Sequence, residues 1–248
     1  MTTLYDAIAP DYVAFVDQAM DEPAHILAVA AEWLYGTLGD VGGQRICDLG
    51  CGEGHLSRRM AQAGALVVGV DSSRLLLEAA ARRSEGLPIR YLLEDAQSLE
   101  TLERGAFDRV VSNFALMDIP DLEAVYAAVH RVLRPGGWFL FSLTHPCFQL
   151  PRFEAEGSAE EADGNAAGES YFREGFWRSD WKGGIRGRVG AHHRTLSTYL
   201  NLLIQAGFGL SRLIEPHSPG QTFPKIFLVV AERREPSHAE PGAGGGVL

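Results

Sequence analysis

One stretch constrains the fold more than any other: Arg45-Ile46-Cys47-Asp48-Leu49-Gly50-Cys51-Gly52-Glu53-Gly54, a short apolar run that stops at an aspartate and breaks into alternating glycines. It predicts a buried strand feeding a tight turn that opens a helix near His55, so that a ligand can lie against bare backbone at the helix N-terminus. Glycine reaches φ > 0 at little steric cost, and its missing Cβ lets the chain approach a ligand closely. The spacing is G-x-G-x-G. Dinucleotide sites use G-x-G-x-x-G, whose third glycine serves helix–strand packing beneath a pyrophosphate.

Further apolar runs end in acids. Ala65-Leu66-Val67-Val68-Gly69-Val70-Asp71 places a carboxylate about 20 residues after the loop, where an acid at the tip of the second strand can accept the hydroxyls of a ribose. Ile89-Arg90-Tyr91-Leu92-Leu93 ends in Glu94-Asp95-Ala96, where a carboxylate can take an adenine amino group. Between them Ser72-Ser73 offers an N-cap for a leucine- and alanine-rich helix. Strands alternating with helices of this length imply parallel pairing, right-handed crossovers and a doubly wound sheet. A fourth strand over Phe107–Ser112 ends in Asn113-Phe114-Ala115-Leu116-Met117, at the carboxyl ends of the strands where ligands sit. A helix over 121–133 and the turn Leu133-Arg134-Pro135-Gly136-Gly137 lead to a fifth strand, which stops at Thr144-His145-Pro146 and sets His145 at the cleft edge.

Taken together, Asp48-Leu49-Gly50-Cys51-Gly52-Glu53-Gly54, Asp71, Asp95-Ala96 and the Pro135-Gly136-Gly137 turn resemble the class I S-adenosylmethionine-dependent methyltransferases, over about residues 5–230. Ser142-Leu143-Thr144-His145-Pro146 and His193-Arg194-Thr195-Leu196-Ser197 are similar to the subgroup acting on small, natural-product-like molecules. The resemblance implies a Rossmann-like α/β fold: a doubly wound, seven-stranded, mostly parallel sheet whose last strand is antiparallel. It also implies an S-adenosylmethionine site built from Tyr12, Asp48, Gly50, Cys51, Gly52, Asp71, Ser72, Asp95, Ala96 and Asn113. Of these, Tyr12 would touch the methionyl carboxylate and Asn113 the methionyl ammonium. Enzymes that methylate nucleic-acid amines place Asp/Asn-Pro-Pro-aromatic after the fourth strand. Ser112-Asn113-Phe114-Ala115 departs from it, which argues against base methylation.

Three activities fit these residues. The first is methyl transfer to a small apolar or aromatic acceptor, foremost at oxygen, with nitrogen, carbon and carboxylate acceptors open. The second is a methyltransferase fold that binds the cofactor but catalyses a non-methylating reaction such as cyclisation, since fold does not fix chemistry. The third is an NAD-type oxidoreductase, against which the glycine spacing, the acid after the third strand and the Pro-Gly-Gly turn all count. A hydroxyl acceptor calls for a general base, and histidine has the right pKa range. His145 stands first by position, followed by His192 and His193. A metal site at His192 and His193 is not expected, because adjacent side chains of an extended chain point to opposite faces.

The chain of 248 residues suits one large α/β domain with an insertion. A net charge of −10 argues against a broad nucleic-acid footprint, and no apolar run approaches a membrane span. Three cysteines without paired spacing and an N-terminus lacking a basic-then-apolar signal point to the cytoplasm, as a monomer or homodimer serving secondary metabolism. Residues 1–40 form an N-terminal helical segment, in which Pro10 interrupts an amphipathic helix and which closes over the cofactor in the family. Residues 41–150 and 192–232 make the cofactor-binding core. Residues 151–191 lose periodicity, first in an acidic run over 154–164 and then in an aromatic one with Phe172, Phe176, Trp177 and Trp181, and read as a lid. Arg178, Lys182, Arg186, Arg188 and Arg194 read as its solvated face, an acidic-substrate site being the alternative. Residues 233–248 read as a disordered tail.

Overall fold

The computed structural model describes residues 3–151, 171–179, 184–217 and 220–234. Most of the proposed lid, including the acidic run and Trp181 with Lys182, and the tail beyond Arg234 lie outside the described residues.

Seven strands, β1 (Arg45–Leu49), β2 (Leu66–Asp71), β3 (Ile89–Leu93), β4 (Phe107–Asn113), β5 (Leu133–Thr144), β8 (Phe208–Ile214) and β9 (Ile226–Arg233), form one sheet in the order β3-β2-β1-β4-β5-β9-β8. The pairs from β3 through β5 are parallel, and β9 runs antiparallel to both β5 and β8. The expected seven-stranded sheet with a reversed last strand is therefore present.

Helices α1 (Ala9–Asp21), α2 (Ile26–Leu38), α3 (His55–Gln62), α4 (Arg74–Arg83), α5 (Leu122–Val132), α6 (Ile185–Val189) and α7 (Leu196–Gln205) supply the connections and covers. The step from β1 through α3 to β2 moves one way along the sheet, and that from β4 through α5 to β5 moves the other. Right-handed crossovers therefore put α3 and α5 on opposite faces. Caps fix the starts: Ser73 accepts from the Leu76 N–H at 3.2 Å, Asp121 from Ala124 at 2.9 Å and Thr195 from Thr198 at 3.2 Å. Pro10 does not break a helix but sits in the first turn of α1, where a missing N–H costs nothing, after a short 3₁₀ turn over Asp6–Ile8. Leu34, Ile46, Leu49, Tyr126, Phe139 and Phe141 are fully buried around the central strands.

Two findings depart from the expected layout. The fifth strand begins at Leu133 and runs through the Pro-Gly-Gly segment, pairing with Phe107 before its register shifts. The stretch read as aperiodic holds a two-stranded antiparallel ribbon, β6 (Gly175–Trp177) against β7 (Ala191–His193), with Phe176 opposite His192.

Candidate active site

The strand order reverses between β1 and β4, and the loops after these two strands meet in a crevice at the carboxyl edge of the sheet. Their approach is close: a Cβ on Gly50, at φ +69°, would fall on the Cβ of Ala115. The N–H groups of Gly50 and Cys51 share the Val70 carbonyl at 2.8 and 3.0 Å, which ends the β1–β2 ladder and frees the chain to turn. Phe114 stands opposite at φ +54°, a left-handed conformation uncommon for a bulky side chain. It is held by its N–H to the Ser142 hydroxyl at 3.1 Å.

Asp71 ties the loop to the next strand. Its two oxygens accept from the Gly52 N–H at 2.9 Å and the Ser73 N–H at 2.8 Å. Burial pushes its pKa up, and these hydrogen bonds oppose the rise. Each oxygen keeps a lone pair for a further donor. Asp48, at the end of β1, is buried and accepts from the Ser57 hydroxyl. Burial outweighs that bond and raises its carboxyl to about 7. Ser72 is exposed beside Asp71. Asp95 turns back onto Gln97, accepting its N–H at 2.9 Å, with half-buried Ala96 between them. Asn113 accepts the Ser142 hydroxyl at 2.6 Å.

The N-terminal segment lies over this crevice. The Tyr12 ring would be 3.6 Å from a Cβ on Gly52 and meets Tyr5 edge to face at 5.2 Å. Asp6 accepts from the Ser73 hydroxyl at 2.7 Å and the Leu75 N–H at 3.2 Å. Although burial works to raise its carboxyl, these bonds and those from Thr3 bring it down to about 2.

Two groups in this wall were not singled out from the sequence. Glu53, inside the loop and buried, pairs with Arg58 at 2.8 Å and Arg83 at 2.6 Å, while Arg83 also reaches Asp17 on α1. Asp118 accepts the Tyr5 hydroxyl at 2.9 Å and pairs with Arg186 of α6. Burial raises the Asp118 pKa, and Arg186 partly offsets the rise. A charged residue within an otherwise apolar loop, Leu116-Met117-Asp118-Ile119, was the available signal.

Beside the crevice lies a second cavity of about 160 Å³, between the end of β5, the ribbon and α7. Its lining includes Thr144, Gln149, Trp177, Arg186, His192 and His193. A larger hollow of about 600 Å³ lies between α2 and β8, around Trp33 and Arg212, remote from the crevice.

The three candidate bases are placed differently. His145 is buried but does not line the cavity. Its Nδ1 accepts the Cys147 N–H at 3.2 Å, so the ring proton sits on Nε2, which donates to Glu215 at 2.8 Å. The ring packs between Phe148 and Phe227. His193 is buried and donates from Nε2 to the Tyr171 carbonyl at 2.9 Å. His192 is half-buried and touches the Phe176 ring edgewise at 5.3 Å. Its imidazole makes no hydrogen bond among the described residues. Burial, with Arg194 adding, lowers its pKa.

Among the described arginines, Arg178 is exposed, whereas Arg186 and Arg194 are drawn inward rather than solvated. Arg186 pairs with Asp118, Arg188 with Asp11 at 2.6 Å, and Arg194 is buried, donating to the carbonyls of Ile119 and Pro120 at 2.7 and 2.6 Å. Arg178 lies over the Phe176 ring.

The sequence profile of a family described as a methyltransferase domain matches residues 47–141, which run from the glycine loop to the middle of β5. The crystal structure of an S-adenosylmethionine-dependent methyltransferase from Mesorhizobium loti superposes with a TM-score of 0.69 at 34% identity, covering 84% of this chain and all of that one. This chain belongs to the S-adenosylmethionine-dependent methyltransferases. Among curated relatives, the ubiquinone biosynthesis O-methyltransferase of Bordetella avium is 35% identical over 124 residues, and that of Ralstonia nicotianae 37% over 127 residues. These matches cover 49% and 50% of the chain, and the chain spans 52% and 53% of those relatives' lengths. The shared part of these methyltransferases is thus about half of the chain, and no helix among its described residues is long and apolar enough to cross a membrane.

Proposed function

We propose that this chain transfers a methyl group from S-adenosylmethionine to an oxygen of a small molecule held in the cavity between β5, the β6–β7 ribbon and α7. The observation that carries the reading is that the glycine loop, where no Cβ fits at Gly50, connects through Tyr12, Tyr5, Asp118 and Arg186 to a cavity whose wall includes His192. The names of the partial relatives support oxygen as the acceptor atom.

The crevice suits the cofactor on its own terms. Gly50, Cys51 and Gly52 offer main chain, Asp48 supports the loop from below, and Asp71 with Ser72 meets the ribose. Asp95 and Ala96 border the adenine, while Tyr12 and Asn113 face the methionyl end. When bound, the cofactor supplies a methyl group on a sulfonium, already activated for displacement. What remains for the protein is alignment and exclusion of water. Tyr5, Tyr12 and the α6 segment cover the site from the N-terminal and insertion sides. His192 takes the acceptor's hydroxyl proton, because its lowered pKa keeps it unprotonated near neutral pH. His145 acts as a positioning residue that fixes the chain after β5 to Glu215.

Supplying isotope-labelled S-adenosylmethionine with a panel of hydroxyaromatic acceptors tests the reading. Label should appear in the acceptor in step with S-adenosylhomocysteine. Turnover of an acceptor without methyl incorporation would refute it.

A further inference from the structure

The acceptor cavity is lined by basic side chains in a protein of net charge −10. Its titratable lining groups are two guanidiniums, Arg186 and Arg194, two imidazoles, His192 and His193, and the Tyr199 phenol. No carboxylate lines it among the described residues. Asp118 stands behind Arg186 and takes only part of its hydrogen-bonding capacity. Nη1 serves Asp118 and the Gly190 carbonyl, the latter at 3.0 Å, whereas Nε and Nη2 make no hydrogen bond among the described residues. The Arg186 side chain is 26% exposed, at the cavity wall. Arg194 is different: both its terminal nitrogens are spent on the carbonyls of Leu116, Ile119 and Pro120, so it contributes field but few donors.

A guanidinium with one side anchored by the half-buried carboxylate of Asp118 and the other side open is oriented before any ligand arrives. Such a fork matches a planar carboxylate, and preorganisation reduces the ordering cost of binding. A cavity of about 160 Å³ is also smaller than the roughly 300–1,000 Å³ of drug-sized sites, which favours a small acceptor. We infer that the acceptor carries a carboxylate, and that Arg186, held in place by Asp118, recognises it and sets specificity. This rests on the reading of the cavity as the acceptor site of a methyltransferase. The carboxylate is the handle by which the acceptor is held, distinct from the oxygen that is methylated.

The test is calorimetric titration of the full chain, saturated with S-adenosylhomocysteine, using para-hydroxybenzoate and its uncharged analogue para-hydroxybenzamide. The acid should bind at least about tenfold more tightly than the amide, with the preference shrinking as salt is raised. Arg186→Gln should abolish the preference while leaving affinity for the amide and for S-adenosylhomocysteine within about twofold, and Arg186→Lys should retain part of it. Because Arg186→Gln leaves the half-buried Asp118 without its partner, the double variant Arg186→Gln/Asp118→Asn provides a comparison free of that unpaired charge. It too should lose the acid preference. Equal affinity of wild type for acid and amide, or no detectable binding of the acid to a chain that binds S-adenosylhomocysteine, overturns the inference. Loss of S-adenosylhomocysteine affinity in Arg186→Gln also overturns it, by assigning Arg186 to the cofactor's own carboxylate. Failure of wild type to bind S-adenosylhomocysteine at all would instead strike the methyltransferase reading beneath it.

Discussion

The Gly52 N–H donates to Asp71 Oδ2 at 2.9 Å, so the glycine loop after β1 and the acid at the tip of β2 make a single wall. Asp71 therefore holds the loop, and we propose that it also accepts from the bound cofactor. Asp71→Ala should weaken S-adenosylhomocysteine binding by at least about tenfold, since a hydrogen bond to a charged group contributes roughly 1.5–3 kcal/mol. Fluorescence or calorimetric titration reads this directly.

Gly50 and Ala115 pack the loops after β1 and β4 directly against each other. Gly50→Ala combines a left-handed φ with a Cβ that lands on the Ala115 Cβ. The conformational part alone costs about 1–2 kcal/mol. Urea unfolding should show a larger loss for Gly50→Ala than for Ala115→Gly. The double variant should recover the collision part but not the conformational one.

Asp48 makes stability pH-dependent. Its folded pKa of about 7 lies above its ordinary value of 3.8, so the folded state binds the extra proton. The contribution is therefore full below about pH 4 and declines as pH rises toward 7. Asp48→Asn keeps an acceptor for Ser57 and removes that dependence. Relative to wild type the variant should gain stability from pH 5 to pH 8, by about 1 kcal/mol or more. Unfolding midpoints at the two pH values check it, and an unchanged difference would mean that Asp48 does not titrate in this range.

His145 and His192 should separate in kinetics. Loss of a positioned base costs about two to four orders of magnitude in turnover, so His192→Ala should lower kcat on that scale while sparing cofactor affinity. In wild type, kcat should fall on acidification below the usual histidine value of 6.5, since burial lowers the His192 pKa and its unprotonated form is required. His145→Ala should mainly lower stability, because it frees Glu215 and opens a gap between Phe148 and Phe227. The measurements are pH–rate profiles for both variants alongside their melting temperatures.

What the sequence disclosed was whatever is local. The Gly50-Cys51-Gly52 turn, Asp71 at a strand tip and the order of strands and helices all follow from periodicity and glycine chemistry over a dozen residues or so. Contacts between distant segments were hidden. Asp118 meets Arg186 across 68 residues and Tyr5 across 113, and nothing near Arg186 marks it as an anchored group rather than a solvated one. The position of His145 after β5 was legible, but its orientation was not. That depends on the antiparallel return of β9 and on Glu215 beyond β8, which engage its ring and keep it from the cavity. The β6–β7 ribbon was missed because strands of three residues are too short to show alternation.

The proposed roles of Asp71, His192 and Arg186 all depend on the glycine loop after β1 holding S-adenosylmethionine rather than a dinucleotide. Titrating the chain with S-adenosylhomocysteine and with NAD tests this most directly. The prediction is one-to-one binding of S-adenosylhomocysteine that Asp71→Ala weakens, with no heat from NAD. Binding of NAD without binding of S-adenosylhomocysteine would contradict it.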